Sequence, residues 1–384
     1  MALRARILSP GPKKLLAIDG GGIRGVLALQ ILAKIESLLR AETGNADYRL
    51  ADYFDYVAGT STGAIIAAGI ALGKPVQEIL DFYLEHGAAM FAKVSRLRWL
   101  RDKFGYRYES RPLAAKLQSA YGRSTTLGSE HIKTLLLVVM RNATTDSPWP
   151  ISNNPFAKYN DPAHPTNNLN FPLWQLVRAS TAAPTYFAPE VITIDGKPFV
   201  FVDGGVTMYN NPAFQMFLMA TVDRYWNKAP PEQRGWETGT DKMLVVSVGT
   251  GTSADSHYSL KPTEMHLLFN AKSIPSALMY AALNEQDFLC RVFGDCISGP
   301  NLDREVDRMS PSTGPLREKL FRYARYNAEL TVDGLRNLRC PYIKPENVQK
   351  MDSTQFIPAL QVVGKAAADL YVDRAHFNFE VFRP

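Results

Sequence analysis

Apolar residues fall along this chain in short unbroken runs that stop at small residues. Runs at 14–18, 53–58, 134–140, 199–202 and 243–248 are too short for ordinary helices and are rich in Leu, Val, Ile and aromatic residues. They are continuous rather than alternating, which predicts strands buried on both faces, as in a parallel sheet. Between them the period changes. Leu27, Ile31, Ile35 and Leu38 recur at threes and fours and predict a helix over 26–40. The Ala- and Ile-rich segment 64–72 predicts a buried helix, and Pro75 suits the first turn of another over 75–86. A further helix is predicted over 173–182, stopped by Ala183-Pro184, and one more begins near Ala213 after Asn210-Asn211-Pro212. Strands that end in glycine-rich turns and run on into helices are the pattern of an α/β sheet. Beyond residue 253 the strand signals fade, and 273–293, 315–330 and 354–371 read as helices. The expected organisation is an α/β domain over 13–252 and a helical C-terminal extension over 253–384 packed on it. The stretch 141–171 carries seven Asn and five Pro and reads as one long loop, of the kind that forms a functional cover or a disordered tip.

The turns carry the candidate chemistry. Gly59-Thr60-Ser61-Thr62-Gly63 fits G-x-S-x-G between a strand and a helix. A strand that reverses at once into a helix strains its central residue and lifts that side chain clear of the backbone, which presents Ser61 as a nucleophile. The alternative is that Ser61 only caps the helix. After the first strand comes Asp19-Gly20-Gly21-Gly22-Ile23-Arg24-Gly25. Such a turn offers bare N–H groups at a positive helix end and holds an anion. Two anions suit it. Gly20, Gly22 and Gly25 fit G-x-G-x-x-G, which suggests a dinucleotide, but the second strand ends in Gly-Thr-Ser where that fingerprint wants an acid. The favoured reading is an oxyanion beside Ser61, with Gly20, Gly21 and Gly22 as donors. Arg24 adds a charge there, for a phosphate group or for structure.

Ser61 needs a base. None of the six histidines sits in a strand-end turn, but Asp203, in Asp203-Gly204-Gly205, does. A carboxylate against the hydroxyl can take its proton without an imidazole if the site is dry and donors wait for the oxyanion. The rival is a Ser61, Asp203, His257 triad, which has the chain order of α/β-hydrolases. Asp203 also has an ordinary role open to it, as the turn-forming acid of an Asp-Gly pair.

Composition narrows the class. The chain has 384 residues, 46% apolar and 21% charged, enough for a large core without disulfides. Cys290, Cys296 and Cys340 are odd in number and show no C-x-x-C spacing, so no zinc site or disulfide framework is indicated and a reducing compartment is the simpler expectation. No secretory signal and no run long enough for a membrane span is read. The net charge of +6 suits an anionic surface such as phospholipid or nucleic acid without choosing between them. In 91–109 six basic residues accompany Leu97, Trp99, Leu100 and Phe104, which fits either a helix lying on an anionic membrane or a solvated helix packed by one face.

Taken in order, Asp19-Gly-Gly-Gly-Ile-Arg-Gly25, Gly59-Thr-Ser-Thr-Gly63 and Asp203-Gly-Gly205, with Val248-Gly-Thr-Gly251 as support, resemble the patatin-like phospholipase family over about residues 13–252. The resemblance implies a patatin-like three-layer sandwich with a mainly parallel central sheet. It also implies a Ser–Asp dyad that hydrolyses acyl esters of membrane phospholipids without metal or cofactor. Carried across, Ser61 is the nucleophile, Asp203 the base, and Gly20, Gly21 and Gly22 the oxyanion hole. More loosely, Phe321-Arg-Tyr-Ala-Arg-Tyr-Asn-Ala-Glu-Leu330 and Met351-Asp-Ser353 are similar to bacterial phospholipase effectors of antiphage defence. That similarity implies activation by a cyclic nucleotide, homo-oligomerisation on activation, and action from the cytoplasm on the inner membrane surface. No nucleic-acid polymer is expected as a partner.

Overall fold

The computed structural model describes residues 2–90, 108, 110–161, 163–164, 167–252, 267–310 and 314–384. The basic stretch 91–109 lies outside them apart from Tyr108, and so does His257. The strands are β1 (Lys13–Ile18), β2 (Tyr56–Thr60), β3 (Leu135–Asn142), β4 (Ser147–Ser152), β5 (Glu190–Ile194), β6 (Lys197–Asp203), β7 (Met243–Val248), β8 (Asp295–Ser298) and β9 (Arg322–Tyr326). They form one sheet in the order β5-β6-β3-β2-β1-β7-β9-β8, with β4 also paired to β3. The pairings β3-β2, β2-β1, β1-β7, β7-β9 and β9-β8 are parallel, while β4 and β6 run antiparallel to β3.

The continuous apolar runs are explained by two cores, one on each face of the sheet. Leu16, Ile18, Val57, Leu136, Val138, Val246 and Val248 face one core, with residues of the helices α1 (Gly25–Thr43), α2 (Thr62–Ala71), α3 (Val76–Met90) and α4 (Leu173–Ser180). Their neighbours Leu15, Ala17, Tyr56, Ala58, Leu135, Leu137 and Val245 face the other, under α5 (Ala213–Thr221) and Trp226. Alternate side chains of each strand therefore enter opposite layers, and both layers are helical. This is the expected α/β three-layer sandwich. The C-terminal region adds the long helix α6 (Leu267–Phe293) and α7 (Ile357–Tyr371), which packs on α1.

Three expectations need correction. The segment 53–58 is not one strand. Asp52 accepts the Arg49 N–H at 2.8 Å and starts a short helix, Leu50–Tyr53, and β2 starts only at Tyr56. Asp55 pins that start by accepting the Lys14 N–H at 2.8 Å. The stretch 141–171 is not loop throughout, because β4 forms a hairpin with β3 across Asp146, whose φ is +54°. Its prolines concealed it. Pro148 and Pro150 are two residues apart, so both direct their proton-less nitrogen to the same edge, and an edge strand tolerates that. The asparagines that follow act as staples. Asn153 bonds the backbone of Leu136 and Thr134, and Asn160 bonds the carbonyls of Ser152 and Asn154. These contacts lie at the amino end of β3, so 153–160 covers nothing at the carboxyl edge of the sheet. Finally, 315–330 contains β9, not a helix. β9 lies between β7 and β8 and buries Arg325.

β3 has three partners and only two edges. β4 pairs with Leu137–Asn142 and β2 with residues 135–139, so these two occupy opposite edges. β6 pairs with 140–142, where β4 is also paired, and so continues along the edge of β2 beyond its end. Thr60 stands opposite Val139 and Asp203 opposite Met140. Two strands thus meet head to head along β3, and their turn residues Ser61 and Asp203 converge.

Candidate active site

Ser61 follows β2 directly and has φ +55° and ψ −122°, outside the regions that L-residues ordinarily occupy. The flanking glycines make this turn possible. A Cβ on Gly59 would lie 2.0 Å from the Gly63 carbonyl oxygen, and one on Gly63 would lie 2.2 Å from that of Ile18. The Ser61 side chain does not cap α2. Its hydroxyl instead donates to Asp203 Oδ2 at 2.7 Å. Its N–H donates to Ser180 Oγ at 2.9 Å, and that hydroxyl in turn donates to the Val139 carbonyl. Ser180 thereby locks the strained turn to β3 from the end of α4.

Asp203 is buried, at 3% exposure, and uses both carboxylate oxygens. Oδ2 accepts from Ser61, and Oδ1 accepts the Gly205 N–H at 2.7 Å. The turn-forming role and the partnership with Ser61 are therefore held at once. Burial pushes its pKa up from 3.8 to about 6, against the opposing pull of the Ser61 and Gly205 donors and the Arg178 charge. The arginine is itself 1% exposed and bonds Ser110 Oγ and the Ala188 carbonyl, both at 2.7 Å. A carboxylate with such a pKa is ionised at neutral pH yet accepts a proton readily.

The glycine loop lies against this pair. A Cβ on Gly20 would stand 2.3 Å from Asn210 Oδ1 and 3.3 Å from Ser61 Cβ, so glycine lets the loop approach both. The expectation that Gly20 supplies an oxyanion donor is corrected, because its N–H donates to the Asn210 carbonyl at 3.0 Å. The N–H groups of Gly21 and Gly22 have no hydrogen-bond partner among the described residues. The loop is gripped on all sides. Thr250 Oγ1 donates to the Gly20 carbonyl at 2.6 Å, and the Ile23 N–H donates to the Met351 carbonyl at 2.9 Å. Met351 packs against Gly22, where a Cβ would lie 2.3 Å from the Met351 carbonyl oxygen. Arg24 is 9% exposed, and its Nε reaches the Gly21 carbonyl at 3.4 Å. Burial lowers its pKa to about 10, so it stays charged.

The family model for patatin-like phospholipase matches residues 16–217, which span β1 through most of α5. The chain belongs to the patatin-like phospholipase family. Patatin-17 of Solanum cardiophyllum is 34% identical over 260 residues, covering 64% of this chain and 63% of that protein. Patatin-1-Kuras 2 of Solanum tuberosum is 32% identical over 252 residues, covering 62% and 63%. The chain thus matches less than two thirds of the length of these relatives. Among solved structures, VipD from Legionella pneumophila aligns over 92% of this chain and 67% of its own at 13% identity, with a TM-score of 0.33, too low to bear on function. The patatin match contains Ser61, Asp203 and the glycine loop. It ends before β7, β9 and Met351, which hold that loop from the other side.

The structure brings Ser61 against Asp203 and sets the start of the glycine loop beside them, with Arg24 following in the same turn. Sequence reasoning missed Ser180, Arg178, Asn210, Thr250 and Arg325. For Arg178 and Ser180 a signal existed, in polar residues beside Leu176 and Val177 inside an otherwise apolar helix. Asn210 and Thr250 act through the backbone of the loop, which no spacing reveals.

Proposed function

We propose that this chain is a serine lipid acyl hydrolase of the phospholipase A type, cleaving fatty-acyl esters of phospholipids through Ser61 and Asp203. The observation that carries the reading is the direct 2.7 Å hydrogen bond from the Ser61 hydroxyl to a buried carboxylate, made by a residue held at φ +55°. Ser61 Oγ attacks the ester carbonyl carbon as its proton passes to Asp203 Oδ2. The oxyanion is received by the N–H groups of Gly21 and Gly22 at the positive end of the following helix. As the tetrahedral intermediate collapses, Asp203 returns the proton to the departing lysophospholipid oxygen, and the acyl group stays on Ser61. Water then attacks as Asp203 takes its proton, and Asp203 returns that proton to Ser61 Oγ as the acyl–oxygen bond breaks and the fatty acid leaves. Arg24 adds positive charge beside the loop, suited to a phosphate group of the substrate.

The direct contact favours a dyad over a triad, since an imidazole would have to stand between hydroxyl and carboxylate. The lipid substrate is supported by family membership and by the net charge of +6. Among the described residues no helix is long and apolar enough to cross a membrane, so substrate would be met at the bilayer surface. On phospholipid vesicles the rate is expected to jump once the lipid aggregates, with lysophospholipid and free fatty acid as products. Equal rates on vesicles and on a soluble p-nitrophenyl ester would point to a small-ester esterase.

A regulatory role for the C-terminal region is the finer part of the proposal. Its similarity to antiphage effectors makes a cyclic oligonucleotide the ligand to try, and the Met351 grip on the glycine loop gives such a ligand a route to the site. A thermal-shift titration with cyclic di- and trinucleotides is expected to raise the melting temperature with one of them and to stimulate lipid cleavage. No shift with any of them counts against this part alone.

A further inference from the structure

Asp19 opens the glycine loop and is fully buried, which pushes its pKa up against the opposing pull of a guanidinium beside it. Its partner comes from outside the family-matched segment. Arg325 Nη1 donates to Asp19 Oδ1 at 2.9 Å and Nη2 to Oδ2 at 2.5 Å, and Nη1 also donates to Ser247 Oγ at 2.8 Å. The sheet explains the reach. Arg325 on β9 stands opposite Ser247 on β7, which stands opposite Ala17 on β1. Asp19, two residues on, lies on the same face as Ala17. Ser247 is small enough for the guanidinium to pass over it. Burial pulls the Arg325 pKa down, but the Asp19 carboxylate outweighs it and holds the pKa above the ordinary value.

The pair is itself anchored. Asp287 on α6 lies 4.0 Å from Arg325 Nε, accepts two bonds from Arg291 at 2.9 and 2.8 Å, and accepts the Tyr323 hydroxyl at 3.0 Å. Two buried carboxylates and two buried guanidinium groups therefore cancel. The Asp19 N–H is fixed separately, on the Val248 carbonyl at 3.1 Å. With both its backbone and its carboxylate held, Asp19 fixes where Gly20, Gly21 and Gly22 leave the sheet.

We infer that Arg325 is a positioning residue for the acyl-transfer reaction. Through Asp19 it aims the Gly21 and Gly22 amides at the place where the oxyanion forms, so the C-terminal region completes the oxyanion hole. This rests on the dyad reading above. A purely structural ion pair would stabilise the sheet without touching the chemistry, and the two cases differ in kinetics. Buried pairs replaced together by neutral residues commonly leave a fold intact, so the variant of choice is Asp19→Asn with Arg325→Leu.

With a soluble ester its kcat is expected to fall about 100-fold, as when an oxyanion donor is lost, with KM within about twofold. Affinity for a trifluoromethyl ketone, which forms a tetrahedral adduct with the serine, should fall in parallel. Arg325→Lys keeps the charge without the fork and should recover part of kcat. A folded double variant with kcat and inhibitor affinity within about threefold of the parent would overturn the inference, as would a loss expressed only in KM. Should the double variant not fold, Arg325→Lys carries the test. A tenfold or greater loss of kcat at unchanged melting temperature supports the inference, and an unchanged kcat overturns it. The dyad reading fails separately, through hydrolysis that survives Ser61→Ala.

Discussion

Replacing Ser61 with alanine is expected to lower ester hydrolysis by about 10⁴–10⁶-fold, the range seen when a nucleophile is removed, and to leave the fold almost untouched. The reason for the second half is local. The Ser61 side chain makes one hydrogen bond, to Asp203, and does not cap α2. Its N–H bond to Ser180 is a backbone bond and survives the change. Alanine tolerates φ +55° no worse than serine does, since both carry a Cβ. The loss is therefore about one hydrogen bond, roughly 1 kcal/mol, too little to unfold the chain. Asp203 would also lose a donor that lowers its pKa, so its carboxyl should titrate somewhat higher still. A capping serine would give the opposite pattern, with a lower melting temperature and activity largely retained.

Replacing Asp203 with asparagine is expected to abolish activity by about 10³–10⁴-fold and to raise stability at alkaline pH. The first effect follows from removing the base while keeping the shape. The second follows from the cost of holding a charge in a buried site. The folded carboxyl titrates near 6 and the unfolded one near 3.8, so the folded state binds the proton more tightly. Stability from this group is therefore full below about pH 4 and is lost as pH rises towards 6, a difference of about 3 kcal/mol. Asparagine removes that cost. Its oxygen can still accept the Gly205 N–H, and its amide can donate to Ser61 Oγ. Part of the gain is returned, because Arg178 loses a neighbouring negative charge. At pH 8 the melting temperature should rise by about 1–2 °C for each kcal/mol recovered. In the parent protein kcat/KM should fall about tenfold per pH unit below about 6 and stay level above it. His257→Ala should keep both the rate and this profile. An inactive histidine variant with a normal melting temperature would bring back the triad.

Much of this was legible in the chain itself. The catalytic elements are local: each is a strand end, a small-residue turn and the start of a helix, and such units carry their own signal. Ser61 and Asp203 could be paired on paper because both stand at strand ends, although only the register on β3 explains how two antiparallel strands bring them nose to nose. What could not be read is non-local or hidden by a misleading residue. Pro148 and Pro150 argued for loop where an edge strand stands. Arg322 and Arg325 broke up an apolar run and made β9 look like part of a helix. Arg325 is buried only because Asp19, 306 residues earlier, neutralises it. The Gly20 amide looked free because its partner, the Asn210 carbonyl, belongs to a backbone 190 positions away, and backbone partners leave no trace in residue types.

The central claim is that the Ser61 oxygen takes the acyl group from the substrate. It is tested most directly by mixing the protein with a p-nitrophenyl fatty-acyl ester, quenching in acid within the first turnovers, and mapping the added mass by peptide mass spectrometry. The account predicts one acyl increment on the peptide containing Ser61, formed in the parent and absent in Ser61→Ala. Turnover of the ester with the increment on another residue, or with no increment under conditions where product is released in a burst, would contradict it.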